Sequence, residues 1–402
     1  MIEQARFRSY TIGNLNGIDQ VTVKFPCSEE VIQKTCDEIH VENLASANIR
    51  ILEVDDSALN QSVEGLKMTL DELNYLEKRF DSFTSEEMDL FCAVAEVSSP
   101  KDGFDLINLS YNLHCYSLVD SSKNMEEMGR ELYLHEAISC PTEELQQVNG
   151  QKYLAELMKN NTPWETSQGL LYPNKNEPTQ VYNGKNLPPF SYGGTAVEVV
   201  LTCEHPTMGT CEELLALPYY GSDLAKIKER MGVESLKDIK VDNIIILTNP
   251  QDNFLSSMDL EEVYTADDLD NLSDVAEFYD LGTKEMCDDL NHFAVQLKVD
   301  NLHQLSLVAL GILTEELEFV PNITTAEDYG YYLVCENDET KIDEDIASFV
   351  DYDGYGASQL VGKSYVSTDE GMMIYHGDEV GMEQMLEQFE QEQEQSGMTT
   401  FS

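Results

Sequence analysis

Leu70-Asp-Glu-Leu-Asn-Tyr-Leu76 returns further along the chain as Ala266-Asp-Asp-Leu-Asp-Asn-Leu272, and each segment opens a stretch with helical spacing. The likeness extends outward in order. Glu86-Glu87-Met88 corresponds to Lys284-Glu285-Met286, Leu106-Ile-Asn-Leu109 to Leu302-His-Gln-Leu305, and Gly169-Leu-Leu-Tyr172 to Gly371-Met-Met-Ile374. Self-similarity at an offset of about 200 residues marks a repeated unit. The chain therefore reads as two tandem copies of one module.

Local signals fill in each copy. Arg8 to Leu15 and Val21 to Phe25 read as strands joined across Asn16-Gly17, a hairpin signal, and Ile49 to Val54 adds a third strand. In the second copy Val197 to Cys203 and Ile244 to Thr248 read the same way. Short helices are expected over Ser28 to Ile39 and Ser222 to Met231, with the two serines as N-caps and Gly232 as a stop. All-helical sections follow over Thr69 to Val119 and Thr265 to Glu318. Mixed structure closes each copy, in the second over Ala326 to Tyr332, Glu344 to Val350 and a hairpin-like Ser364 to Ile374. The fold class expected is α+β, an elongated and duplicated chain in which small antiparallel-sheet domains alternate with helical ones. The first copy would hold an α+β domain over 1–66, a helical domain over 67–120 and a second α+β domain over 121–182. A Pro/Asn/Gly-rich linker over 183–194 would follow. The second copy would repeat the series over 195–262, 263–320 and 321–378, ahead of an acidic tail over 379–402.

Charge bounds the function. The 402 residues hold 76 Asp and Glu against 24 Lys and Arg, a formal net charge of -52. Such self-repulsion costs stability and exceeds what solubility requires. Nucleic acid is a poor direct partner for it, because binding polyphosphate takes cations. A basic surface is the natural partner, and the large basic surfaces of a cell are those built to hold nucleic acid. The acidity is also uneven. Residues 251–402 carry 36 acids and four bases, whereas the first 250 carry 40 acids and 20 bases. Nine cysteines occur without a C-x-x-C. No apolar run approaches the roughly 18 residues of a membrane span, and no secretory leader pattern precedes Arg6. The expectation is a cytoplasmic protein with free thiols and no membrane partner.

Enzyme signals are poor. Phosphate-binding, dinucleotide-binding, zinc-protease and nucleophile-elbow motifs are all missing from the sequence. His114 beside Cys115 reads as a half-buried pair on a helix rather than a metal or thiol site. Asp351-Tyr-Asp353-Gly354 falls out of register with a calcium loop, whose glycine stands at position 6 and glutamate at 12. Carboxylate pairs such as Glu261-Glu262 arise by chance among so many acids, and a catalytic pair also needs a pocket that splits two pKa values. No catalytic residue, cofactor or metal is expected.

The informative constellation is the acidic helical region of the second copy. Asp267, Asp268, Asp270, Asp274, Glu277 and Asp280 interleave with Leu269, Leu272, Val275, Ala276 and Phe278. At 3.6 residues per turn the apolar set faces a core and the acids cover the remaining arc. Asp288, Asp289, Glu315, Glu316, Glu318, Asp343, Glu344 and Asp345 extend the candidate partner-binding surface. A merely solvated helix face usually mixes signs, and here opposite charges are nearly missing. B-DNA carries one charge per about 1.7 Å of axis, so the excess charge would match at most roughly 90 Å of duplex.

The C-terminal stretches Ala326-Glu-Asp-Tyr-Gly-Tyr-Tyr-Leu333, Ile346-Ala-Ser-Phe-Val-Asp-Tyr-Asp-Gly-Tyr-Gly356 and Gly362-Lys-Ser-Tyr-Val-Ser-Thr-Asp-Glu-Gly371 resemble, in order and spacing, the end of the ArdA antirestriction family. Leu269 to Leu297 is similar to that family's middle. Ile12-Gly-Asn-Leu15 and Phe25-Pro26 are similar to its opening. The resemblance implies a non-enzymatic B-DNA mimic. Its partners would be the methyltransferase and specificity subunits of type I restriction-modification enzymes. It also implies self-association near Phe349, Tyr352 and Tyr355, as a homodimer or as a pseudo-dimer of the two copies. Two other readings share the electrostatics: an acidic inhibitor of another nucleic-acid enzyme, such as an anti-CRISPR protein, and a chaperone of a basic protein. A salt-adapted enzyme is a third, but salt adaptation gives no reason for acids to concentrate after residue 250.

Overall fold

A computed structural model describes residues 7–376 apart from 17, 138–140, 161, 175, 193–194, 206–208, 248–253, 259, 261–265, 338–341, 343 and 348. The fold is α+β, with several small antiparallel sheets alternating with helices. The chain divides into two compact units. The first comprises Met1–Tyr192, Leu201–Leu214 and Tyr220–Ile239, and the second Gly193–Val200, Leu215–Tyr219 and Lys240–Ser402. Among the described residues no helix is long and apolar enough to cross a membrane.

The chain begins with β1 (Arg8–Gly13), β2 (Gln20–Phe25), α1 (Glu29–Glu38), β3 (Asn48–Val54), α2 (Ser57–Val63) and β4 (Lys67–Thr69), whose sheet has the order β2-β1-β3-β4. Gly17 of the expected hairpin turn lies outside the described residues, but β1 and β2 pair antiparallel as expected. Ser28 stands at the N-cap of α1 without a capping hydrogen bond from its side chain. Three helices follow: α3 (Leu70–Asp81), α4 (Ser85–Ser98) and α5 (Gly103–Tyr111). Then come β5 (Tyr116–Val119), α6 (Met125–Ala137), α7 (Thr142–Gln147), α8 (Gly150–Asn160), β6 (Trp164–Glu165) and β7 (Leu170–Pro173), with sheet order β5-β7-β6.

A related series follows, without counterparts of α2 and β4 among the described residues. It opens with β8 (Val197–His205), β9 (Gly209–Leu217), α9 (Gly221–Met231) and β10 (Lys240–Ile246), ordered β10-β8-β9. The helices are α10 (Ala266–Leu281), α11 (Lys284–Gln296) and α12 (Leu302–Leu313). The last part is β11 (Leu317–Pro321), α13 (Ala326–Tyr331), α14 (Glu344–Ala347), α15 (Tyr352–Leu360), β12 (Ser364–Ser367) and β13 (Gly371–Tyr375), with sheet order β11-β13-β12. The expected helical sections thus end as strands, at β5 and β11. Strand β9 was not expected: its Glu-Glu-Leu-Leu core has strong helix formers, yet its residues alternate inward and outward as a strand requires. Ser222 is not the cap of α9. The helix starts at Gly221, and the Asp223 carboxylate accepts the Tyr220 N–H at 2.9 Å. Gly232 does end it, in the left-handed conformation at φ 70°.

Matching details recur at matching places. Thr84 caps α4 by accepting from Glu87 N, and Thr283 caps α11 by accepting from Met286 N. Asp102 caps α5 and Asn301 caps α12 in the same way. Thr166 and Thr368 each donate a side-chain hydrogen bond of 2.9 Å to the carbonyl of a glycine three residues on, Gly169 and Gly371. A Cβ at Gly169 would meet Val119 O of β5 at 2.6 Å, and one at Gly371 would meet Val320 O of β11 at 2.4 Å. Helix crossings repeat as well. Gly129 of α6 lies against Gly150 of α8, and Gly330 of α13 against Gly356 of α15, each too close for a side chain.

The stretch expected as a linker is seated on the first unit. Leu187 and Phe190 pack against its core, beside Tyr182, which ends the expected domain before the linker. The Tyr75 hydroxyl donates to Pro188 O at 2.8 Å, and the Arg79 guanidinium lies 4.8 Å from the Phe190 ring centroid. Nor does the division into units follow the two copies, because α9 belongs to the first unit. Two cations explain its seat. Lys226 Nζ reaches Glu29 of α1 and Asp71 of α3, each at 2.8 Å. Arg230 reaches Asp71 and Glu213 of β9, each at 2.7 Å. Charges removed from water this completely persist only when paired.

Candidate partner-binding acidic surface

The surface is built on α10. Leu269, Leu272, Val275, Ala276 and Phe278 are buried, and Asp270, Asp274, Glu277 and Asp280 are exposed. Their spacing puts the acids on the arc away from the core. Asp268 is half-buried, and the side chain of Asp267 lies outside the described residues. No Lys, Arg or His occurs within the helix. Two of the acids are held in place: Asp270 accepts from the Tyr219 hydroxyl, and Asp274 accepts from Ser306 Oγ of α12 at 2.8 Å. Asp280 is exposed as a residue, but partial desolvation of its carboxyl pushes it up to about 6, and Glu277 adds repulsion.

A second group forms where α11 meets β11. Asp288 is exposed and Asp289 half-buried. Burial pushes the Asp289 carboxyl up to about 6, with Asp288, Glu318 and Glu285 acting in the same direction and His292 against it. Glu315 and Glu316 are exposed in the turn into β11. Glu318 pairs with His376 Nε2 at 2.7 Å, and Glu370 with His292 Nδ1 at 2.7 Å. The His292 ring stacks on Phe319, with centroids 4.4 Å apart. The structure therefore brings Asp288, Asp289 and Glu318 together with Glu285, His292, Glu370 and His376, which sequence reasoning missed. Only pairing of β11 with β13 carries Glu370 and His376 to this place. Asp343 lies outside the described residues, as do the side chains of Glu344 and Asp345 on α14.

Of the self-association candidates, Phe349 stands out at 88% exposed, near in sequence to the exposed Ile346. Tyr352 and Tyr355 are turned to internal uses. Tyr352 donates to Ala347 O at 2.6 Å, and Tyr355 packs against the core around Val320 and Tyr329.

The first unit carries acids too. A groove of about 970 Å³ there is lined by Glu86, Glu87, Asp89, Asp120 and Glu131 among others. Lys123 reaches Glu131 at 2.9 Å. Among the described residues, no group of three or more His, Cys, Asp or Glu side chains is placed to hold a metal ion.

A pH dependence follows from the carboxyls. Desolvation raises Asp280, Asp289 and Asp223 to about 6 and Glu77 to about 7. A carboxyl whose folded pKa exceeds its unfolded value makes the native state bind more protons between the two values, so stability falls as pH rises through that window. Asp120, Glu126, Glu285 and Asp328 are shifted down, chiefly by hydrogen bonds. What they contribute is lost only below the ordinary carboxylate range of about 4. The melting temperature in low salt should therefore be a few degrees higher at pH 5.5 than at pH 8. The larger cause is burial, with like-charge crowding second. A melting temperature that is equal or lower at pH 5.5 would contradict this account.

No family model and no curated protein matches this chain.

Proposed function

We propose that the chain is an ArdA-like antirestriction protein, a non-enzymatic mimic of B-DNA that occupies the DNA-binding cleft of type I restriction-modification enzymes. The observation that carries the reading is the outer arc of α10, where four acids follow one another without a base. These acids form a row along the helix: Asp270, Asp274, Glu277 and Asp280 span about 15 Å at 1.5 Å per residue, or one charge per roughly 5 Å. One strand of B-DNA carries a charge per about 3.4 Å, so the helix alone is somewhat sparser than a phosphate strand. The acids at the junction of α11 and β11 supply a second group. The hydrogen bonds to Asp270 and Asp274 fix those carboxylates in place, as a phosphate is fixed to its backbone. Exposed Phe349 supports self-association through the second copy.

The test is displacement of a labelled duplex from an active type I methyltransferase core, titrated with the protein at two salt concentrations. Near-stoichiometric displacement, weaker at high salt, is expected, because a polyanion binds a basic cleft with counterion release. No displacement from the active enzyme would remove type I restriction as the target, and a panel of other nucleic-acid enzymes would then identify the basic surface that fits.

A further inference from the structure

Cys203 and Cys211 stand on the neighbouring strands β8 and β9. Both side chains face inward, at 4% and 5% exposure, and the two thiols interact directly. Cys203 Sγ also donates to the carbonyl of Met231, the last residue of α9, at 3.9 Å. Cys211 shares the inward face of β9 with Glu213, whose carboxylate binds Arg230 of the same helix. The thiol pair thus sits under α9, beside the buried ion pairs that hold that helix in the first unit.

We propose that Cys203 and Cys211 are a reversible thiol–disulfide pair, oxidised by a low-molecular-weight disulfide such as glutathione disulfide. One thiol, as its thiolate, attacks a sulfur of the oxidant, breaks its S–S bond and releases one small thiol. The other then attacks the mixed disulfide and releases the second. The protein gives up two electrons and two protons, and the oxidant leaves as two thiols. The strands that carry the two thiols are neighbours and the thiols already interact, and a disulfide takes Cβ atoms about 3.5–4.5 Å apart, so closure needs only a local shift. β9 is the edge of its sheet, so it opens with the loss of a single ladder of hydrogen bonds. Burial raises the Cys203 thiol above its ordinary value, which makes the reaction slow beside that of an exposed thiol. The loop closed is short, so the bond gains little from chain entropy and stays reducible. Oxidation removes the S–H donor from Met231 O and so bears on the seat of α9.

The full chain would be incubated with glutathione disulfide under native conditions, alkylated, denatured and mapped by mass spectrometry. The expected result is the loss of two of the nine thiols, a linked peptide joining Cys203 to Cys211, and recovery of both thiols with dithiothreitol. Cys203→Ala and Cys211→Ala should each abolish that linked peptide. Should either variant fail to fold, the map of the unaltered chain decides alone. The proposal is overturned if all nine thiols survive prolonged exposure, if glutathione stays attached at either position, or if the linkage joins other cysteines.

Discussion

Replacing Arg230 with methionine is expected to cost the first unit about 3–5 kcal/mol, the usual effect of removing one member of a buried ion pair. The guanidinium is 13% exposed and spends its donors on two carboxylates: Nε and Nη2 on Glu213, and Nη1 on Asp71. Methionine keeps most of the volume and removes the charge. Glu213, whose side chain is 2% exposed, then keeps Asn186 Nδ2 at 3.3 Å but no cation. Asp71 keeps Lys226. Burial already raises the Glu213 carboxyl against the pull of Arg230, so losing Arg230 raises it further. The cost of the substitution should therefore be larger at pH 8 than at pH 5, where the orphaned carboxyl takes a proton. The second substitution Glu213→Leu on the same chain should recover most of the loss, since an apolar pair often replaces a buried ion pair at little cost. Urea unfolding followed at the single tryptophan, Trp164, reads the first unit. A loss below about 1 kcal/mol, the size of a surface pair, would mean that water reaches Glu213 and that the pairs do not hold α9.

Those ion pairs also mark where sequence reading stops. The helical sections were legible, because periodicity is local, but the caps that start α4 and α11, Thr84 and Thr283, went unread, and the two serines read as caps do not cap with their side chains. The acids of α10 were legible too, since 3.6-residue spacing separates Leu272, Val275 and Phe278 from Asp274 and Glu277 without knowledge of any neighbour. Strand β9 was not, because its residue types favour a helix and only pairing with β8 decides otherwise. The seat of α9 was hidden for a related reason. Lys226 and Arg230 look like ordinary helix-surface cations until Glu29, Asp71 and Glu213 arrive from distant parts of the chain. The same holds for residues 183–192. Pro, Asn and Gly there signal irregular backbone, but irregular backbone that packs Leu187 and Phe190 against the core is part of that core and not a free tether.

Charge reversal on the second unit should separate function from stability. Glu277, Asp288 and Glu316 are exposed acids on α10, on α11 and in the turn before β11, outside the hydrogen bonds that hold Asp270 and Asp274. Changing all three to lysine should weaken binding to a basic cleft by roughly a hundredfold or more in low salt, at about 1 kcal/mol or more for each attraction turned into repulsion. Most of that loss should vanish as salt rises, because exposed charges are screened within about 10 Å at 0.1 M. Association should slow more than dissociation quickens, the mark of lost electrostatic steering. Stability should move the other way. In a chain of net charge -52, each lysine placed among carboxylates relieves repulsion, so the melting temperature should rise while circular dichroism stays unchanged. That opposition is the informative result: acids that cost stability and are at the same time needed for binding are retained for the partner. If the variant melts higher and binds the methyltransferase core as tightly as before, these acids are only a solvated face, and the contact surface must be sought among the acids of the first unit.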